Sequence, residues 1–193
     1  MTLVDLVVSM SIMSVFLAMF TVGILQLYRS VGRDQAIAMA QSSVNTAFVR
    51  LDKQIRYAAS ITTPGVVGAD TYVEYLTTNT GTPSCTQLRV HVTTLQTTLQ
   101  RRTWPVPSGA AAIVPTAWIP LMSEVSATQP LNQPFTFTAA TSTFPFQRLR
   151  VALDSTSSAS GKVVRKQFDV TFTAVNTSLK TTASTCSNGR LIP

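Results

Sequence analysis

Asp5 is the only charged side chain in residues 1–28, and its surroundings demand a chemical explanation. Residues 6–25 contain no ionisable group and, at about 1.5 Å per residue, are long enough to cross a bilayer. A carboxylate near the centre of a membrane helix costs about 2.5–3.5 kcal/mol on insertion scales. Asp5 therefore requires a cation close by.

The α-amino group of Met1 is the cation that fits. It lies about one helical turn from Asp5, whereas Arg29 lies about 36 Å away along a continuous helix. The amino group of an axially shifted neighbouring chain would be equally close in a bundle of such helices. We expect the Met1 amino group to pair with Asp5 when the helices assemble.

Cys85 and Cys186 are the two cysteines of the chain. A bond between them would close a loop of about 100 residues, which contributes up to about 4.7 kcal/mol by the chain-entropy argument. An exported chain favours this disulfide, and two buried free thiols are the alternative.

Basic residues form a second group that suggests chemistry. The chain carries a formal charge of +7, with eleven Arg and four Lys, and such a surface attracts polyanions. If the strand residues among them share one exposed face, they form a stripe for a nucleic-acid backbone, with a tryptophan available for stacking on bases. The alternative is an ordinary solvated sheet face. The residues are Arg101, Arg102, Trp104, Arg148, Arg150, Lys162, Arg165 and Lys166.

Motifs for catalysis are missing from the sequence. His91 is the single histidine, and no cysteine or acid stands near it at motif spacing, so a solvated side chain is favoured over a catalytic one. The eight acids are scattered, without the dense loop that a calcium site needs. No glycine-rich phosphate loop is present. We therefore expect a protein that is not an enzyme and that uses no metal or cofactor.

The elements that carry these residues follow from periodicity. Residues 1–28 are predicted to form an apolar helix that continues as an amphipathic helix over residues 29–59, because apolar or small residues recur there at intervals of three and four. Alternating segments predict antiparallel strands within residues 70–193, including a hairpin whose two strands turn one apolar face toward the helix. The residues on this face are Leu149, Val151, Leu153, Phe168, Val170 and Phe172. The proline-rich segment from Trp104 to Pro145 is predicted to be a loop-like insertion. The apolar stripe consists of Ile37, Ala40, Val44, Ala47, Phe48, Leu51, Ile55 and Ala58.

The fold class that results is α+β. A long N-terminal helix, half apolar and half amphipathic, packs on an antiparallel β-sheet, and a disulfide tethers the C-terminal segment. The domains are residues 1–28, the anchor helix, and residues 29–193, one globular domain.

The run Thr-Leu-Val-Asp-Leu-Val-Val at residues 2–8 resembles the mature amino terminus of type IV pilins and pseudopilins. That family usually has N-methylated phenylalanine at the first position and glutamate at the fifth, where this chain has Met1 and Asp5. The resemblance implies cleavage by a prepilin peptidase, residence of the helix in the cytoplasmic membrane, and extraction by an assembly machinery. The helices would then form the core of an extracellular pilus built from copies of this chain or from other pilins.

The flanking charges conflict with export when this chain is taken alone. Arg29 and Arg33 follow the apolar segment and no basic side chain precedes it, which would leave the domain in the cytoplasm. A basic leader that has since been removed would supply the missing charges, so we expect Met1 to be the processed terminus; an initiator methionine is the alternative. Two alternatives to a major filament subunit stay open. One is a minor or tip pilin or a secretion-system pseudopilin, and the other is a monomeric signal-anchored surface binding domain.

Overall fold

The computed structural model describes residues 3–79, 81–108, 111–123, 125–127, 133–159, 162–182 and 185–192. Its first element is α1, Leu3–Arg56, an unbroken helix of 54 residues and therefore about 80 Å long. No proline interrupts it. The helix ends three residues before the predicted end near Ala59 because Ala58–Ile61 pairs with a strand instead.

In the part of the chain that the structure describes, ten strands follow α1 and form two sheets rather than the one that was predicted. Sheet A has the order β1-β3-β4-β5-β6, with β2 also paired to β3, and all its pairings are antiparallel. Its strands are β1 Ala58–Ile61, β2 Gly65–Val67, β3 Asp70–Thr77, β4 Ser84–Val92, β5 Thr97–Pro105 and β6 Ile119–Ser123.

Sheet B is antiparallel and is built around a long hairpin, with the order β10-β9-β7 and with β8 also paired to β9. The predicted hairpin is confirmed, and its register places Leu149, Val151 and Leu153 opposite Phe172, Val170 and Phe168. Val170 is exposed, so the prediction that it packs under the helix is wrong. Its strands are β7 Val125–Ala127, β8 Phe135–Thr138, β9 Gln147–Ala159 and β10 Lys162–Ala174.

The second half of α1 closes the hydrophobic core over both sheets. Ala47, Leu51 and Ile55 are buried, and Phe48 packs its ring 5.8 Å from the rings of both Phe168 and Phe172 on β10. The amphipathic half of the helix is therefore held by aromatic and aliphatic contacts with the hairpin. The predicted stripe is confirmed at these positions, while the side chains of Ile37, Ala40 and Val44 lie outside the described residues.

The predicted loop-like insertion between Trp104 and Pro145 is wrong where this segment forms β6, β7 and β8. The segment adds an edge strand to sheet A and then crosses to pair with β9 of sheet B. The prolines of this segment that lie within the described residues stand near strand ends or in connections, where a missing backbone N–H is tolerated. It therefore links the two sheets instead of forming a separate lobe.

Both faces of sheet A are covered. Residues 185–192, which we call the C-terminal strap, begin with a short 3₁₀ helix, Thr185–Leu191, and lie on the face of sheet A opposite to α1. We call this the outer face. The cover explains why polar side chains on the outer face are buried, which the strand pattern alone did not predict.

Candidate functional site

The apolar half of α1 extends away from the two sheets. Its segment Leu3–Gly32 contains an 18-residue stretch with a mean hydropathy of 2.2, none of it buried, and is the one part of the described residues with the length and composition to cross a membrane as a helix. A surface patch of this size on a soluble domain indicates contact with lipid or with other apolar surfaces. An N-terminal apolar helix of this kind is able to act as a membrane anchor or as a signal sequence.

The polar groups of this apolar half are mostly satisfied within the helix. Each of its serine and threonine side chains between residues 9 and 21 donates to a main-chain carbonyl one turn back, a pattern that is compatible with an apolar environment. The bonds are Ser9 Oγ to Asp5 O (2.7 Å), Ser11 Oγ to Val7 O (2.8 Å), Ser14 Oγ to Ser11 O (2.8 Å) and Thr21 Oγ1 to Leu17 O (2.8 Å).

Asp5 stands in the first turn of α1, where a carboxylate interacts favourably with the helix dipole. Its residue is exposed. Met1, the other predicted assembly residue, lies outside the described residues. The acid is thus the one charged side chain in the described part of the chain before Arg29.

The C-terminal strap is bonded covalently to sheet A. Cys186 forms the predicted disulfide with Cys85 on β4, across 101 residues of sequence and a Cα–Cα distance of 5.5 Å. Beside the disulfide, Gly189 lies flat against Trp104, and a Cβ at Gly189 would come within 2.5 Å of the Trp104 ring. Glycine is therefore required there by the close approach of the backbone.

A buried carboxylate fixes the strap a second time. Glu74 on β3 is fully buried, and it receives the Arg190 guanidinium through Nε (2.9 and 3.0 Å) and Nη2 (2.6 Å). Thr62 Oγ1 donates to Glu74 Oε2 at 2.6 Å, and Gln87 Nε2 donates to Oε1 at 2.8 Å. A buried charge with this many partners is well compensated. We call Glu74, Arg190, Gln87 and Arg102 the strap clasp.

Arg102 completes the strap clasp from β5. Its Nε donates to Gln87 Oε1 at 2.8 Å, and its Nη2 donates to the carbonyl oxygens of Gly189 (2.9 Å) and Ile192 (2.6 Å). Burial lowers the pKa of Arg102 below its usual range, and the nearby Arg89 lowers it further. The Arg89 and Arg102 guanidinium carbons also lie 3.8 and 4.2 Å from the centre of the Trp118 ring.

The predicted polyanion-binding stripe does not form as one surface. Arg102 and Trp104 are 2% and 1% exposed beneath the C-terminal strap, so they are not accessible to a nucleic acid in this structure. Arg101 points to the opposite face of sheet A, because neighbouring residues of a strand alternate. The part of the prediction that required these three residues to share one exposed face is wrong.

The other predicted basic residues belong to sheet B. Arg148 and Arg150 share the face of β9 away from the core, where Arg148 stacks on Phe144 at 4.2 Å and Arg150 forms a two-bond ion pair with Asp169. The side chains of Lys162, Arg165 and Lys166 lie outside the described residues. Polyanion binding through this face stays a prediction, with Asp169 neutralising one of its cations.

The contribution of the Arg150–Asp169 pair to stability depends on pH. Its hydrogen bonds hold the pKa of Asp169 below its usual range, so the pair stabilises the fold above the unfolded pKa of about 3.9 and loses this contribution as the pH falls through the lowered value. We expect Asp169→Asn to reduce the drop in melting temperature between pH 5 and pH 2. Melting curves of wild type, Asp169→Asn and the control Asp34→Asn test this, and equal drops in all three would contradict it.

His91 is less solvated than predicted. Its Nδ1 lies 2.8 Å from Asp70 Oδ2, and Asp70 also accepts from the backbone N–H of Val92 at 3.0 Å. No group of three or more His, Cys, Asp or Glu side chains suited to a metal occurs around this pair or elsewhere in the described residues. The dyad therefore serves to hold the end of β4 against β3.

Comparison of the chain with protein families, with curated proteins and with solved structures finds no match.

Proposed function

We propose that this chain is a structural subunit of a type IV pilus-like extracellular filament and that it polymerises through the apolar half of α1. The observation that carries the proposal is a 30-residue apolar segment, Leu3–Gly32, that its own domain leaves exposed and that has an acid in its first turn. Such a segment requires a cover supplied from outside the chain.

Under this proposal, two apolar environments surround the segment Leu3–Gly32 one after the other. Lipid covers the segment while the subunit waits as a single-pass protein in the cytoplasmic membrane, after a prepilin peptidase has released its amino terminus. Neighbouring helices cover it after the assembly machinery has extracted it. The globular domains then form the outside of the pilus at the cell surface, because the second half of α1 is already occupied by both sheets.

Asp5 selects the docked state over the undocked state. A buried charge that lacks a partner is strongly unfavourable, whereas a charge paired through hydrogen bonds is tolerated. A subunit that docks in register brings the α-amino group of a neighbouring Met1 to Asp5. The pairing therefore favours correct axial placement without adding apolar contacts.

The test compares Asp5→Ala with the matched variant Asp5→Glu, each expressed in cells that assemble the wild-type chain. We expect Asp5→Ala to enter the membrane normally and to yield at least about tenfold fewer sheared filaments, a factor equivalent to about 1.4 kcal/mol. Asp5→Glu keeps the charge and should assemble. Filaments at wild-type yield from Asp5→Ala would contradict the role of Asp5.

Two measurements on purified surface filaments separate this proposal from its alternatives. A coat-wide repeat of the chain in purified filaments identifies a major subunit, whereas rare occupancy identifies a minor or tip pilin or a pseudopilin. A signal-anchored monomer predicts no filament and an uncleaved, unmethylated amino terminus. Intact-mass analysis of the chain from sheared surface material distinguishes these outcomes.

A further inference from the structure

A cleft of about 650 Å³ opens beside the last turn of α1, at the ends of β3, β4 and β5. Its volume falls within the range of about 300–1,000 Å³ typical of small-molecule sites. The cleft lies at the opposite end of α1 from Asp5 and is separate from the apolar half of the helix. Its use is therefore independent of filament assembly.

The lining of this cleft combines hydroxyl and amide side chains with apolar surface that includes Trp104 and Pro105, and we call it the hydroxyl-lined cleft. Six serine or threonine side chains contribute, together with the amides of Gln54 and Asn79 and the half-exposed ring of Tyr57. None of the described lining residues is an aspartate or a glutamate. The hydroxyl residues are Thr77, Thr82, Ser84, Thr86, Thr103 and Thr116.

Several of these groups are pre-oriented. The buried Tyr75 hydroxyl donates to Gln54 Oε1 at 2.7 Å and is itself hydrogen-bonded to Thr86, while burial raises the pKa of Tyr75 above its usual range. The phenol is thus a fixed donor. Because Gln54 Oε1 is occupied, the Nε2 end of this amide is the group left to donate to a ligand.

Lys53 supplies a cation at the rim of the cleft. It belongs to the last turn of α1 and is exposed. The neighbouring carboxylate of Asp52 is already bonded to Arg56 at 2.7 Å, and no ion pair of Lys53 occurs in the described part of the chain. The ammonium group is therefore available to an anion.

This combination matches one class of ligand better than others. Hydroxyl side chains both donate and accept hydrogen bonds, as sugar hydroxyls do, and the exposed Tyr57 ring offers an apolar face to sugar C–H groups. A phosphate would favour an arginine fork or a glycine-rich backbone nest, and the described lining contains neither residue type. We propose that the hydroxyl-lined cleft binds an acidic saccharide, with the sugar carboxylate at Lys53 and the sugar hydroxyls at Gln54 and the threonines.

The test uses the full chain in detergent micelles and a trisaccharide of galacturonic acid, with binding followed by isothermal titration calorimetry. We expect saturable binding that weakens about fivefold or more in Lys53→Gln and with the methyl-esterified trisaccharide, the factor expected for one exposed charge pair of about 1 kcal/mol. Lys180→Gln removes an exposed cation outside the cleft and should leave binding unchanged.

A second variant keeps the result tied to the cleft rather than to general charge. Thr103→Val replaces a partly buried hydroxyl by a methyl group of similar size and should weaken binding of both the acidic and the esterified trisaccharide. The proposal is overturned if the trisaccharide does not bind, if Lys180→Gln weakens binding as much as Lys53→Gln, or if inorganic phosphate at equal concentration displaces the saccharide. Circular dichroism and melting curves confirm that each variant is folded.

Discussion

Arg190→Ala is expected to lower the free energy of unfolding by about 3–5 kcal/mol, the usual cost of leaving one member of a buried ion pair without its partner. Glu74 is fully buried, and Arg190 supplies three of its hydrogen bonds. Thr62 and Gln87 remain in the variant, but neither carries a positive charge. The measurement is urea unfolding of the full chain in detergent.

Three further variants show whether the charge or the side-chain contact matters. Arg190→Lys keeps the charge without the fork and should fall between wild type and Arg190→Ala. Glu74→Gln introduced into Arg190→Ala removes the uncompensated carboxylate and should recover part of the loss. Lys180→Ala is the control for removal of an exposed cation. A loss below about 1 kcal/mol in Arg190→Ala would show that Glu74 does not depend on Arg190.

Removal of the disulfide by Cys85→Ser combined with Cys186→Ser is expected to cost up to about 4.7 kcal/mol, because the bond closes a loop of about 100 residues in the unfolded chain. The same change should release the C-terminal strap locally. Trp104 is 1% exposed beneath Gly189, so release of the strap should shift tryptophan emission to longer wavelength before global unfolding. Fluorescence and urea unfolding measure the two effects.

The oxidised wild type with and without dithiothreitol provides the matched comparison, since it changes the bond and not the sequence. Arg190→Ala should cost less in the disulfide-free variant than in wild type. The reason is that a released strap leaves Glu74 open to water in either case, so the two effects are coupled. Unchanged emission together with an unchanged unfolding midpoint after reduction would contradict the role of the bond.

The long helix and the β9–β10 hairpin were predictable because their apolar residues recur at regular intervals. The apolar run and the three-and-four spacing of Ala47, Leu51 and Ile55 predicted one continuous helix with a buried stripe, and alternation predicted the β9–β10 hairpin. Alternation also predicted that Leu153 and Phe168 face the helix together, and the observed register pairs them directly. These features depend on neighbours in sequence, which explains why the pattern was sufficient.

The strap clasp was not predictable in the same way, because its members come from segments far apart in sequence. The strand pattern predicted that Arg102 and Trp104 are exposed, but the C-terminal strap covers both residues in the folded chain. One signal was available. Residues 101 and 102 are adjacent on a strand and must point to opposite faces, so they could not contribute to a single stripe.

The short strands β6, β7 and β8 were missed for a different reason. Each has three to five residues, and each is held by pairing with β5 or β9 rather than by a period of its own. Nearby prolines then favoured a loop assignment. Tertiary pairing overrode the local signal, as is common for edge strands.

Glu74 and Arg190 are 116 residues apart in sequence, and this separation imposes a delay during biosynthesis. At about 5–20 residues per second, the ribosome adds Arg190 roughly 6–23 s after Glu74. Throughout that interval the nascent polypeptide holds an acid that the finished interior accepts only with its counter-ion. The outer face of sheet A therefore lacks its cover at least until residue 190 has been synthesised. During this interval chaperones are able to bind the uncovered face.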